Sequence, residues 1–244
     1  MKKTALLFAA YAVVAGVSVK AQDSKSSYSV TTDFAYTSKY VFRGVQQSAD
    51  AFQPSVEISA ENAYVGLWTS QPITRHYNNE VDVYGGYKYK FNEQLSFEGV
   101  GTYYWYPEAH KSLGQTKNSY EAGLGATYTL YGVSTTVYYY YDFRLHTNTL
   151  QGSVGYSVPL TQIGASLDLS AFYALANTRD GLPDADGPRI HDGSSYYGFD
   201  VSLPYKLSEK ATLSPAVHWA DDSNNVLDTN RNKYWVSISL SVGF

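Results

Sequence analysis

Large apolar residues occupy every second position at the end of the chain, namely Tyr234, Val236, Ile238, Leu240, Val242 and Phe244. Serine or glycine fills the positions between them, except at Trp235. Because successive side chains of a β-strand point to opposite faces, this segment predicts a strand with one apolar and one polar face. Such a strand fits the core of a soluble sandwich, and it also fits the wall of a membrane barrel.

The same alternation recurs along the chain in about twelve segments, which predicts an all-β protein. Every second connection is short, and longer polar loops lie between the short ones, which are 61–62, 92–94, 131–132, 161–164 and 208–210. Outer-membrane barrels combine short periplasmic turns with long extracellular loops, so we predict a transmembrane antiparallel up-and-down β-barrel. The predicted strands are 28–38, 55–60, 63–69, 80–91, 95–106, 119–130, 133–144, 150–160, 165–176, 196–207, 211–220 and 234–244.

Aromatic residues distinguish a membrane barrel from a sandwich, and the chain contains 25 tyrosines. Tyrosine and tryptophan are enriched where a membrane meets water, so aromatic residues near both ends of the strands predict two girdles. The predicted extracellular girdle consists of Tyr36, Trp105, Phe143, Tyr173, Trp219 and Tyr234. The predicted periplasmic girdle consists of Tyr28, Phe91, Tyr128, Tyr205 and Phe244.

The beginning of the chain has the pattern of a secretory signal peptide. Lys2 and Lys3 precede an apolar run that ends at Val19, and Ala21 follows shortly afterwards. The run is shorter than a membrane-spanning helix requires. We therefore predict a signal peptide at residues 1–21 and an outer-membrane β-barrel at residues 22–244.

The terminal strand is predicted to pair with the first strand, because closing the barrel removes both exposed edges. Its last residue, Phe244, resembles the terminal aromatic residue by which outer-membrane barrels are recognised for assembly. The predicted partners are therefore the barrel assembly machinery and periplasmic chaperones, together with the lipid and lipopolysaccharide of the outer membrane. Deletion of Phe244 should reduce the amount of assembled protein without preventing secretion.

Charge and cysteine content exclude several functions. The sequence has 18 Lys and Arg against 22 Asp and Glu, and three of the basic residues lie in the predicted signal peptide. This acidic balance does not fit a nucleic-acid partner, which requires a basic surface. The chain has no cysteine, so disulfides and thiolate chemistry are excluded.

Four stretches of sequence resemble a bacterial family, the Gcw_chp group, which is also described as TorF-family porins. The stretches are SKYVFRGVQQS at 38–48, YVGLWTS at 64–70, NEVDVYGGY at 79–87 and GTYYWYP at 101–107. The later half of the chain matches only as barrel strands in general. The resemblance implies an outer-membrane protein of the porin kind, and it supplies no established substrate.

If the apolar faces meet lipid, the opposite faces line the bore. The candidate channel-lining residues are more often acidic than basic, and they are Asp33, Arg43, Glu57, Asp82, Lys88, Glu98, Glu121, Asp142, Arg144, Asp168 and Asp200. Carboxylates favour cations in pores, so one hypothesis is a porin-like channel for passive diffusion of small hydrophilic solutes, with a cation preference. The alternative is a closed barrel with a structural or surface-anchoring role, in which acids and bases pair across the bore.

Arg43 is the basic candidate for the outer mouth of the bore. Continued alternation from the first strand points it inward, where it could meet Glu57 or bind an anionic group of a solute. It could equally be a charge on the rim or a salt bridge that holds a loop. A selectivity role predicts that Arg43→Ala makes the channel more selective for cations.

Enzyme activity is not expected. His76, His110 and His191 fall in predicted loops, His146 lies at a loop edge, and His218 points inward from a strand. We find neither a nucleophile elbow nor a metal-binding histidine pair, so no catalytic residue, metal or cofactor is assigned. The acidic loop 180–187 lacks the full ligand spacing of a calcium loop, which favours an exposed, solvated loop.

Overall fold

Twelve antiparallel strands form a closed ring in the computed structural model, which describes residues 28–74, 78–110, 116–178, 194–223 and 233–244. The first strand pairs with the last, and Thr37 lies opposite Ser237 in this pair. The predicted barrel and its closure by the terminal strand are therefore confirmed. The signal peptide, loop 180–187, His76 and His191 lie outside the described residues.

Eleven of the twelve crossings are single strands, and one is interrupted. The crossings are β1 Ser29–Thr37, β4 Ala51–Ala60, β5 Ala63–Pro72, β6 Glu80–Lys90, β7 Leu95–Trp105, β8 Asn118–Leu130, β9 Val133–Asp142, β10 Thr147–Leu160, β11 Ala165–Thr178, β12 Ser194–Ser202 with β13 Tyr205–Lys206, β14 Ala211–Asp222 and β15 Lys233–Gly243. A short hairpin, β2 Tyr40–Phe42 and β3 Val45–Ser48, lies between β1 and β4. In the described residues, no helix has the length and apolar character needed to cross a bilayer.

The prolines at positions 204 and 215 behave differently, although both lack a backbone N–H donor. Pro204 lies in the break between β12 and β13, where the strand pattern stops for two residues. Pro215 stays within β14, where its carbonyl oxygen accepts a hydrogen bond from the Leu203 N–H at 3.0 Å. A proline is tolerated in a strand where a neighbouring strand does not need its missing N–H.

The outer surface of the barrel is apolar. The side chains that alternation places outward are exposed, including Leu124 at 71% and Val65 at 52%. Most girdle residues are exposed at the strand ends. Trp219 is partly buried, because its ring packs against the Phe199 ring with 5.4 Å between the ring centres. A continuous exposed apolar belt is favourable in contact with lipid and unfavourable in contact with water. The belt therefore fits a barrel that spans a membrane.

The segment between β1 and β4 differs from the prediction. The second spanning strand begins at Ala51 and not at Ser55, and the preceding residues 40–48 form the hairpin. We call residues 40–48 the inward hairpin, because Tyr40, Val41 and Phe42 are all buried at 8% exposure or less. The apolar residues of the hairpin pack into the extracellular end of the bore, whereas continued alternation had predicted an extension of the first strand.

Candidate functional site

The tip of the inward hairpin is a tight turn made by Arg43 and Gly44. Both residues have positive φ angles, 45° and 80° respectively. Two consecutive positive φ angles match a type I′ turn, which favours glycine at its second position and usually Asn, Asp or Gly at its first. A Cβ on Gly44 would come within 2.9 Å of the Tyr196 Cβ and of the Asp221 carbonyl oxygen, so only glycine fits against the wall made by β12 and β14.

Arg43 reaches the opposite side of the bore from its own backbone strands. Its Nη2 lies 2.8 Å from Glu121 Oε1 on β8, and its Nη1 lies 3.0 Å from Glu121 Oε2. Its Nη1 also donates to Thr149 Oγ1 on β10 at 3.4 Å. The guanidinium lies 5.0 Å from the centre of the Tyr140 ring on β9, within reach of a cation–π interaction.

The ion pair between Arg43 and Glu121 is buried. The side chains of Arg43 and Glu121 are 4% and 6% exposed. Burial by itself would lower the pKa of Arg43, but the charge of Glu121 more than reverses this effect and the pKa lies above its usual value. Arg43 is therefore charged, and breaking the pair would leave a buried carboxylate without its cation.

The base of the hairpin contacts a second acidic site. Glu80 and Asp82, at the start of β6, are 2% and 4% exposed. Tyr106 donates to Glu80 Oε1 at 3.0 Å, and Tyr40 of the hairpin also hydrogen-bonds to Glu80. The Oδ1 atom of Asp82 has no hydrogen-bond partner among the described residues.

Tyrosine rings lie flat against one part of the wall because glycines face them. A Cβ added to the glycine would overlap the ring in each case, as with Gly66 and Tyr84 on neighbouring strands. The aromatic–glycine pairs are Tyr84 on Gly66, Tyr64 on Gly86, Tyr140 on Gly123, Tyr138 on Gly125 and Phe172 on Gly198. Large rings are thereby kept against the wall and out of the centre of the bore.

The hydroxyl groups of these tyrosines are directed to carboxylates. Tyr64 donates to Glu98 Oε1 at 2.5 Å, and Tyr138 donates to the other oxygen of Glu98. Tyr84 donates to Glu57 Oε2 at 3.2 Å. A neutral hydroxyl orders and solvates a carboxylate without cancelling its charge.

A linked hydrogen-bond relay on β12, β14 and β15 was not identified from the sequence. His218 Nδ1 lies 2.5 Å from Asp200 Oδ1, and His218 Nε2 lies 2.8 Å from Ser237 Oγ. The His218 ring stacks on Trp235 at 5.0 Å. The atoms have the order of a serine hydrolase triad, but in barrel strands the backbone N–H groups are used by the ladder and do not form an oxyanion hole. The three residues share the inward face of neighbouring strands, so comparing the inward-facing positions of these strands could have identified them.

The structure distributes the candidate lining residues among three environments. Arg43, Asp82, Glu121 and Asp142 are buried at the extracellular end, while Asp33, Glu57, Glu98, Asp168 and Asp200 are partly exposed on the bore. Lys88 has a side chain that is 60% exposed, and its Nζ lies 3.8 Å from Glu98 Oε2. The partner of Arg43 is Glu121 and not Glu57.

Two candidates at the end of β9 have local structural contacts. Asp142 Oδ1 accepts hydrogen bonds from the backbone N–H groups of Arg144 and Leu145, at 2.8 and 2.7 Å. Arg144 is exposed in this turn, because β9 ends at Asp142 and the inward alternation does not continue to residue 144. Asp142 thus shapes the extracellular turn.

A family comparison matches most of the chain. The family model described as "Bacterial protein of unknown function (Gcw_chp)" matches residues 21–179. The match includes the inward hairpin and all of β1 to β11. No curated protein sequence matches this chain.

Solved structures of outer-membrane barrels are similar in fold. The KdgM porin is 16% identical with a TM-score of 0.53, over 88% of this chain and 99% of that chain. The NanC porin is 13% identical with a TM-score of 0.54, over 88% and 98%. The translocator domain of the autotransporter NalP from Neisseria meningitidis is 11% identical with a TM-score of 0.50, over 91% and 90%. The fold and the apolar belt together place this barrel in the outer membrane, as predicted.

Proposed function

This chain belongs to the Gcw_chp family of bacterial proteins of unknown function, and we propose that it forms an outer-membrane channel for small hydrophilic solutes with a preference for cations. A barrel of twelve strands lies between eight-stranded barrels, whose interior is filled by side chains, and porins of sixteen strands, which hold an aqueous channel. The width alone therefore permits a narrow channel. The lining decides its selectivity.

The observation that carries the proposal is the way the bore holds its carboxylates. Glu57 and Glu98 accept hydrogen bonds from tyrosine hydroxyls, which leave the negative charge in place. Lys88 approaches Glu98 only at 3.8 Å from an exposed position, so water screens this contact. Carboxylates held in this way attract cations into a pore and repel anions.

The inward hairpin supports a narrow channel and also supplies the argument for the alternative. It packs into the extracellular end of the bore, and a cavity beside Arg43 is lined by Val100, Thr102, Tyr104, Glu121, Tyr140 and Gln151. If the hairpin stays in place permanently and leaves no path, the protein is a closed barrel with a structural or anchoring role. If it leaves a path or moves, the protein is a gated channel.

Conductance of the refolded mature protein in a planar bilayer tests the proposal. Under a potassium chloride gradient, we expect discrete openings and a reversal potential of the sign that indicates cation preference. Glu57→Gln together with Glu98→Gln should move the reversal potential toward zero. The matched control is Glu209→Gln, which changes an exposed carboxylate in a periplasmic turn and should leave the reversal potential unchanged. Absence of conductance above background would favour the closed barrel.

A further inference from the structure

The environment of Arg43 has the composition of a binding site for a guanidinium group. One carboxylate, Glu121, engages both terminal nitrogens of the group, as a planar fork requires. A hydroxyl group, Thr149 Oγ1, lies at the edge of the fork, and the face of the Tyr140 ring covers the plane. An ammonium group could satisfy the charge, but it has neither the planar fork nor the flat face.

These three contacts are made by the barrel wall, and Phe42 of the hairpin also lies 5.2 Å from the guanidinium. Glu121 lies on β8, Tyr140 on β9 and Thr149 on β10, three adjacent strands of the ring. The carboxylate is held independently of the hairpin as well, because Tyr104 on β7 donates to Glu121 Oε1 at 3.4 Å. The pocket is therefore built on a rigid sheet, and its occupant Arg43 is on a connecting loop.

The positive φ angle of Arg43 indicates that the contacts of its side chain stabilise the turn. Its φ angle of 45° lies in the left-handed region, which is unfavourable for a residue with a long side chain. The first position of a type I′ turn normally carries Asn, Asp or Gly. The contacts of the guanidinium compensate for a backbone conformation that arginine does not favour.

We propose that Glu121, Tyr140 and Thr149 form a binding site for guanidinium groups, which the protein's own Arg43 fills, and that soluble alkylguanidinium compounds compete with Arg43 and release the inward hairpin. The hairpin acts as a tethered ligand of the wall. Release of the hairpin as an opening step rests on the proposed channel function. Occupation of the pocket by a guanidinium compound does not.

The first experiment empties the pocket and offers it a substitute. Purified Arg43→Ala barrel in detergent should bind methylguanidinium, measured by titration calorimetry, about tenfold or more tightly than methylammonium of the same charge. The double variant Arg43→Ala with Glu121→Gln should lose this binding. Equal affinity for the two cations would reduce the pocket to a nonspecific negative site, and absence of binding would also overturn the proposal.

The second experiment uses the wild-type pocket and a label on the hairpin. Because the chain has no cysteine, Gln47→Cys provides a single site for an environment-sensitive fluorophore. Methylguanidinium should change its fluorescence in a saturable manner, and methylammonium should not. Because a tethered ligand has a high effective concentration, competition requires methylguanidinium well above the range that fills the Arg43→Ala pocket. An unchanged signal at those higher concentrations would overturn the competition. Neither experiment requires conductance, so a closed barrel would still bind methylguanidinium if the inference is right.

Discussion

In the outer, extracellular half of the bore, side chains are packed as in the core of a soluble protein, whereas in the inner, periplasmic half they line the wall without filling the space. Among the described residues, those with the lowest exposure cluster at the extracellular strand ends and on the hairpin, including Phe42 at 0% and Tyr106 at 1%. Glu57 and Glu98, which lie in the periplasmic half, remain partly exposed. Both halves have the same inward alternation, so the difference arises from the inward hairpin.

This difference assigns separate roles to the two sets of carboxylates. Glu80 and Glu121 in the outer half are buried against hairpin residues, and a buried charge is kept only with its partners in place. Glu57 and Glu98 in the inner half are ordered by hydroxyls and stay accessible to ions. The outer carboxylates therefore hold the hairpin, and the inner ones give the bore its proposed cation preference.

Removal of the hairpin is the change with the largest expected effect on this comparison. Replacing residues 40–48 with a short Gly-Ser linker should make the outer half as open as the inner half. We expect the single-channel conductance to rise roughly twofold or more, because the narrowest part of a pore dominates its resistance. The reversal potential should keep its cation sign, since Glu57 and Glu98 remain.

An unchanged conductance would show that the constriction lies elsewhere. A loss of the cation preference would show that the outer carboxylates contribute to selectivity as well. Heat modifiability of the variant on gels is the control that the barrel has formed.

The sequence was sufficient for the wall and insufficient for the hairpin. Alternation fixes the outward and inward faces of each strand, so the apolar belt and the positions of Glu57 and Glu98 follow from parity. The inward hairpin depends on long-range contacts, such as that of Arg43 with Glu121, which no local pattern contains. The local signal that was available is the pair Arg43-Gly44 between apolar residues, which is compatible with a two-residue turn. The turn was not recognised because its first position carries arginine, where Asn, Asp or Gly is usual.

Truncation of Phe42 should be the most destabilising single substitution in the hairpin. Its side chain is fully buried and lies 5.2 Å from the Arg43 guanidinium. Phe42→Ala should weaken docking of the hairpin by about 3 kcal/mol or more, the usual cost of deleting a buried phenylalanine. Protease accessibility of the hairpin, followed on gels, measures the effect. The matched variant Phe91→Ala, at a residue that is 61% exposed on the outer surface, should leave accessibility unchanged.

The aromatic–glycine pairs predict a smaller effect on the wall of the inner half. A methyl group at Gly66 would overlap the ring of Tyr84, which must then leave the wall and turn into the bore. Gly66→Ala should destabilise the barrel by about 1–3 kcal/mol, as overpacking does, and lower the conductance. At Gly99 the nearest atom to an added Cβ is Leu124 Cδ2 at 3.6 Å, so Gly99→Ala is the control. Equal unfolding midpoints in urea for the two variants would contradict this account.

Alkaline pH should produce the smallest effect, and in the outer half of the bore it acts in part through Tyr40. Burial of Tyr40 raises its pKa well above the ordinary value of 10.0, and the charges of Glu80 and Asp82 raise it further. In the undocked hairpin the Tyr40 hydroxyl would lose its proton near pH 10, while in the docked hairpin it keeps the proton. The contribution of Tyr40 to docking should therefore be constant below pH 10 and weaken progressively above it.

The fluorophore at Gln47→Cys provides the measurement for this pH dependence. Tyr40→Phe removes the titrating hydroxyl, so the alkaline loss of docking should become shallower in that variant. Tyr106 is also buried beside Glu80 and has a raised pKa for the same reasons, and it therefore contributes to the pH dependence that remains in Tyr40→Phe. Identical alkaline profiles for the wild type and Tyr40→Phe would show that Tyr40 does not couple the hairpin to pH.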